Sequence, residues 1–130
     1  MIRIAGAVFA LSASAALACP APGTAIDLIS ETPGAPVAYA DMAPPPLSAP
    51  FTITIGFCGL EAGQAEHLDF DAVMPAHQHG MNFRVDVTPR GKNQFDVSNV
   101  VFHMPGQWEL LLDVEINGQT YGYTAEVTLE

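Results

Sequence analysis

Positive charge is almost absent from this sequence: four Lys and Arg stand against 14 Asp and Glu in 130 residues. One of the four, Arg3, falls in an N-terminal stretch that reads as a cleavable signal. Its loss leaves Arg84, Arg90 and Lys92, three cations against 14 acids and a net charge of −11. Nucleic acid and anionic lipid repel such a chain, so neither is an expected partner. The acids are scattered rather than blocked, as on the solvated faces of strands. Cysteine is scarce too: Cys19 and Cys58 are the only two, and without a Cys-x-x-Cys pair a thiol oxidoreductase is not indicated. A nucleophile elbow and a His-Glu-x-x-His zinc pattern are both missing, and a loop rich in His and Met lacks an evident general base. The expectation is a protein that is not an enzyme.

Long apolar runs are confined to the N-terminus. Met1-Ile2-Arg3 supplies one positive charge, residues 4–17 are apolar or small, and Ala16-Leu17-Ala18 is a small-x-small cleavage signature. Residues 1–18 read as a signal peptide, and the apolar stretch is shorter than the ~20 residues of a membrane helix, so no membrane span is expected. The expected location is the periplasm. Cys19 then begins the mature chain, with two competing fates. In an oxidising compartment it pairs with Cys58, closing a loop of about 40 residues worth roughly 4 kcal/mol in a chain-entropy model. Alternatively it carries lipid, which is disfavoured because lipoproteins usually place Leu three residues before the Cys, where this chain has Ala16.

Residues 19–50 are thick with Pro and Ala and culminate in Pro44-Pro45-Pro46. They read as a Pro-rich arm outside the core, with short strands at 25–30 and 37–40 confined by the prolines to an edge or to unpaired extended chain. Residues 51–130 form the expected domain. Phe51, Ile53, Ile55 and Phe57 alternate with Thr52, Thr54 and Gly56, the period of a strand with one buried face. The same period recurs through Leu68 to Met74, Phe83 to Val87, Trp108 to Ile116 and Tyr121 to Leu129. Turn chemistry separates these runs at residues 89–93 and at Asn117-Gly118, a two-residue type I′ signal. The apolar parity slips near Asn99, which predicts a bulge. With no helical period, the prediction is a small antiparallel β-sandwich, immunoglobulin-like or cupredoxin-like, with a small barrel as the alternative.

Three of the four histidines and three of the five methionines cluster in two segments, Met74-Pro75-Ala76-His77-Gln78-His79-Gly80-Met81 and His103-Met104-Pro105-Gly106. Imidazole suits Cu(II), and thioether suits Cu(I). If residues 83–88 and 95–102 pair across a turn near Gly91, opposed residues have numbers totalling about 182 to 185. That register sets His103 and Met104 across from residues 78–82 and brings the two segments to one end of the hairpin. His77, His79, Met81, His103 and Met104 are therefore the candidate ligands of a copper ion, Cu(I) or Cu(II). Plainer readings compete. Met74 matches the apolar phase of its strand and fits the core better than a site, Met104 suits either role, and His77 and His79 fit an exposed loop as readily as a ligand pair. Trp108 reads as core, Pro105-Gly106 as a turn, and His67 as ordinary surface. A blue copper site needs a Cys thiolate grouped with a nearby His and Met, company that Cys58 lacks.

The segments Met74 to Phe83 and Val100 to Val114 resemble the YtkA-like domain family of exported bacterial proteins, in which a Met-Pro, His-x-His-Gly block precedes a Met-Pro-Gly-x-Trp block. The resemblance spans roughly Phe51 to Leu129. It implies a β-sandwich and an envelope location, and little biochemistry beyond an association with metal. Two functions are expected to compete: a periplasmic copper chaperone, buffer or accessory protein, and a metal-free interaction module whose paired loops engage another envelope protein.

Overall fold

The computed structural model describes residues 21–61 and 63–130. The signal-peptide reading of residues 1–18, and Cys19, lie outside the described residues. Among the described residues the fold is all-β, with no helix. Nine strands run β1 (Ala25–Leu28), β2 (Ala38–Asp41), β3 (Phe51–Phe57), β4 (Ala65–Met74), β5 (His79–Gly80), β6 (Asp86–Gly91), β7 (Gln94–Val100), β8 (Gly106–Ile116) and β9 (Gln119–Leu129). They form two antiparallel sheets, of order β1-β2-β3-β7-β6 and β5-β4-β8-β9, packed as a small β-sandwich.

Period-two sequence makes this arrangement stable because one face of each strand points inward. In β8, Trp108, Leu110, Leu112, Val114 and Ile116 are buried; in β9, Tyr123, Ala125 and Leu129 meet them from the neighbouring strand. From the other sheet Ile53, Ile55, Phe57, Phe95 and Val97 complete the core. Asn117-Gly118 forms the expected two-residue loop, with φ of 51° and 78°, both positive as a type I′ turn requires. Lys92-Asn93 makes a second such loop, at 54° and 58°.

The Pro-rich arm is not outside the core. β2 lies between β1 and β3, and Leu28, Ala38, Tyr39, Ala40 and Met42 are buried. The prolines do not prevent this because they flank the ladder: residues 38–41 keep every backbone N–H, with Pro36 before them and Pro44 after. Tyr39 covers Gly56 on the partner strand, where a Cβ would collide with the phenol ring, and its hydroxyl accepts from Gln94 Nε2 at 2.8 Å. A second departure concerns residues 83–85. They are not in a strand, and Phe83 is 53% exposed, because β6 is an edge strand and its ladder with β7 ends at Asp86 opposite Ser98. A side-chain bond continues the tie, Asn99 Nδ2 donating to Arg84 O at 2.7 Å. Asn99 has φ of 61°, and the β3–β7 register shifts beside it, at the expected bulge.

Two side chains hold the connections. Buried Asn93 accepts from Ala65 N at 2.9 Å and donates to Glu61 O at 2.6 Å, pinning the β3–β4 link to the β6–β7 turn. Buried Tyr123 donates from its hydroxyl to Pro36 O at 2.6 Å. Burial, reinforced by Tyr121, pushes the Tyr123 phenol up to about 12.

Two outcomes follow from these contacts. Replacing Asn93 with Ala strands a buried donor and a carbonyl and is expected to lower stability in urea by about 2–4 kcal/mol; a loss below about 0.5 kcal/mol would contradict it. The raised phenol favours the folded state fully below pH 10, and that contribution disappears as pH rises from 10 to about 12. Wild type should therefore lose stability more steeply over that window than Tyr123→Phe; parallel curves would remove the role assigned to this hydroxyl.

Candidate metal centre

Both His/Met segments lie where the chain passes between the sheets. β4 ends at Met74 in one sheet, a turn at residues 75–78 returns it as β5, and residues 81–85 cross to β6 in the other. Residues 101–105 make the opposite crossing, from β7 to β8. Strand alternation stops there: Val100, Val101 and Phe102 are all buried in succession, as in chain passing through the interior. The β6–β7 pairs, Asp86 with Ser98 to Pro89 with Phe95, have numbers totalling 184. Extended past the ladder, that register sets His103 across from Met81 and Met104 across from Gly80. The second crossing is also braced by the Pro-rich segment, through a parallel bridge from Leu47 to Phe102 and a bond from Ser48 N to Phe102 O at 2.8 Å.

Trp108 is fully buried, as expected of core, and positions the second segment. Its Nε1–H donates to Met104 O at 3.0 Å, its ring lies 4.9 Å from that of Phe102, and His103 meets it edge-on at 5.4 Å. Neither the bond to Met104 nor the His103 contact is visible in the sequence, although a Trp four residues after a Met-Pro turn is the signal that carries them. Met74 is core, and its terminal methyl occupies the space a Cβ on Gly106 would fill, at 2.9 Å; Gly106 has φ of 124°. Glycine is therefore required where β8 begins, and β4 and β8 close together under the loops.

Three of the five candidate ligands come together as a row. His77 and His79 have ring centroids 6.3 Å apart, and His79 and His103 6.4 Å. Two imidazoles sharing an ion at about 2.0 Å per bond reach a centroid separation of at most about 6.4 Å. Both pairs thus sit at the outer limit for sharing an ion, and His77 and His79 are exposed. The row does not close on one point: among the described residues, no group of three or more His, Cys, Asp or Glu is placed to hold a metal. Met81 and Met104 are half-buried and packed against the core. Met81 also lines a cleft with Phe83, Val85 and Val87, and Met104 follows His103 directly. His67 is remote from the row in sequence and exposed, beside Glu66 at 3.9 Å, as ordinary surface.

His103 carries the least expected feature. Its Nδ1 is buried and has no hydrogen-bond partner, alone in this among the side-chain nitrogens and oxygens of the described residues. A buried polar atom left unpaired costs about 1–3 kcal/mol, and such groups call for an ion, a water or a functional reason. No family model matches this chain, and no curated protein or solved structure matches it.

The orphaned nitrogen yields a stability outcome that needs no metal. Replacing His103 with Leu removes the unpaired atom and keeps an apolar neighbour for Trp108, so urea unfolding should show stability unchanged or raised by up to about 2 kcal/mol. A loss above about 1 kcal/mol would mean that His103 is a structural residue rather than one kept at the expense of stability.

Proposed function

We propose that this chain is a periplasmic metal-binding protein of the YtkA-like kind, serving copper as a chaperone, buffer or accessory factor and not as an enzyme. The observation that carries the reading is the orphaned Nδ1 of His103 at the inner end of the imidazole row. A metal ion would complete this nitrogen, which is an acceptor when the proton sits on Nε2. Softness favours copper. The imidazoles are spaced in pairs rather than as a threefold cluster, and both members of the His79–His103 pair have a thioether close in sequence, Met81 after His79 and Met104 after His103. Two imidazoles with a thioether suit Cu(I), whereas a closed zinc site asks for four converging donors. Graded exposure, from His77 and His79 outside to half-buried His103, suits an ion taken up and passed on.

Ligand imidazoles must be neutral to bind, so acid weakens the complex. Competition against a Cu(I) chelator should give an affinity tighter than micromolar, lost when His77 and His79 are replaced together with Met81. Replacing His79 and His103 should weaken Cu(II) most, and replacing Met81 and Met104 should weaken Cu(I) selectively. Binding no tighter than micromolar, or unchanged in the triple variant, would reject the copper reading and leave the metal-free interaction module. Export and pairing of Cys19 with Cys58 belong to the same proposal: aerobically purified mature protein should show the mass of a disulfide form beginning at Cys19. Two titratable thiols, or a diacylglyceryl adduct, would overturn that part.

A further inference from the structure

The two sheets are unequal along one side of the sandwich. In one sheet, β6 extends beyond β7; in the other, only two-residue β5 extends beyond β4, pairing Val73 with Gly80 and Met74 with His79. The rest of the β4 edge, from Ala65 to Ala72, pairs with no strand on that side among the described residues. Alternation settles which backbone groups face it. His77 N donates to Met74 O on the β5 side, so Ala72 and Phe70, two and four residues back, direct their N–H and C=O groups the same way. Ala72 N is satisfied by its neighbour's carboxylate, Asp71 Oδ1 at 2.8 Å, in place of a strand.

Beneath this edge lies an open cleft of about 340 Å³ between the sheets, floored by Leu68, Phe70, Met81, Val85 and Val87, with exposed Phe83 on its wall. Arg84 stands on the rim toward β6, and Asp69 and Asp71 on the rim toward β4. On the outer face Asp69 also sits directly across from Asp113 of β8. None of these three carboxylates has an ion-pair partner among the described residues. Like charges opposite one another weaken a sheet unless a counter-charge arrives.

We infer that the free edge of β4 accepts an extended segment of another protein, in which apolar side chains alternate with Lys or Arg. Added as a strand, such a segment pairs with Phe70 and Ala72, sends its apolar side chains into the cleft and stands its cations beside Asp69 and Asp71. A second copy of this chain does not fit. Antiparallel pairing of two β4 edges about Phe70 sets Asp69 of each against Asp71 of the other, like charge on like charge, a common bar to edge pairing. The chain's own scarcity of cations makes the partner a different protein. The docked strand lies in line with β5 and ends beside Gly80, one residue from His79. The surface stands on backbone, cleft and charge, and is independent of whether the imidazole row takes a metal.

A test uses the mature protein and two eight-residue probes, one alternating Val with Lys and one alternating Val with Glu. The Val/Lys probe should protect the Phe70 amide from hydrogen exchange and shift the resonances of residues 66–73 and of Phe83. Its affinity should fall about tenfold in Asp69→Asn/Asp71→Asn, whose exposed sites leave the fold intact, and fall again with added salt. Phe83→Ser should weaken it without altering the charge. Three results would each overturn the inference: equal binding of the Val/Glu probe, protection on β1, β6 or β9 in place of β4, or a protein that dimerises through β4 in light scattering and exchange data.

Discussion

The buried indole of Trp108 is the constraint on which the site depends. It belongs to the inward face of β8, so its depth is fixed by the same alternation that buries Leu110 and Val114. From there it holds the Met104 carbonyl and packs against Phe102 and His103, determining the path of residues 102–104 as they leave one sheet for the other. With His103 packed edge-on against a fully buried ring, the exposed histidines of the β4–β5 turn have a neighbour braced by the core to meet. Met74, seated on Gly106, joins the two loops from below. Sites built on such supports need adjust only their outer groups when a ligand arrives.

That support explains the asymmetry of the row. Its inner end is half-buried, packed on Trp108 and incompletely hydrogen-bonded; its outer end is exposed. An unpaired buried nitrogen is a standing loss of stability that folding alone gives no reason to keep, and in the proposed function it is the donor an ion completes. The open edge of β4 begins where this row ends. A partner strand seated there comes within one residue of His79, so in the proposed function recognition of a protein and uptake of an ion would adjoin.

Much of this architecture was legible in the residues. Alternation marked β3, β4, β8 and β9, and Asn117-Gly118 fixed the final hairpin, because each depends on local chain chemistry. The slip at Asn99 and the pairing of β6 with β7 were legible too, and they brought the two loop segments to one end. Other features depend on contacts distant in sequence. Prolines hid the burial of β2, since they mark chain that resists pairing and give no sign when it pairs between them. Phe83 matched the apolar phase of a strand that in fact begins three residues later, as an edge ladder can stop without any change in pattern. The unpaired Nδ1 of His103 and the free side of β4 follow from packing and strand order, which no local period encodes.

Imidazole-resolved NMR of the mature protein, with one equivalent of Cu(I) added under reducing conditions, decides whether the histidine row takes up the ion. His79 and His103 should shift together at one equivalent, with His77 responding, Trp108 sensing the change through its contact with His103, and His67 unmoved. Equal shifts at His67, or a His103 that stays silent while the exposed pair responds, would contradict the account.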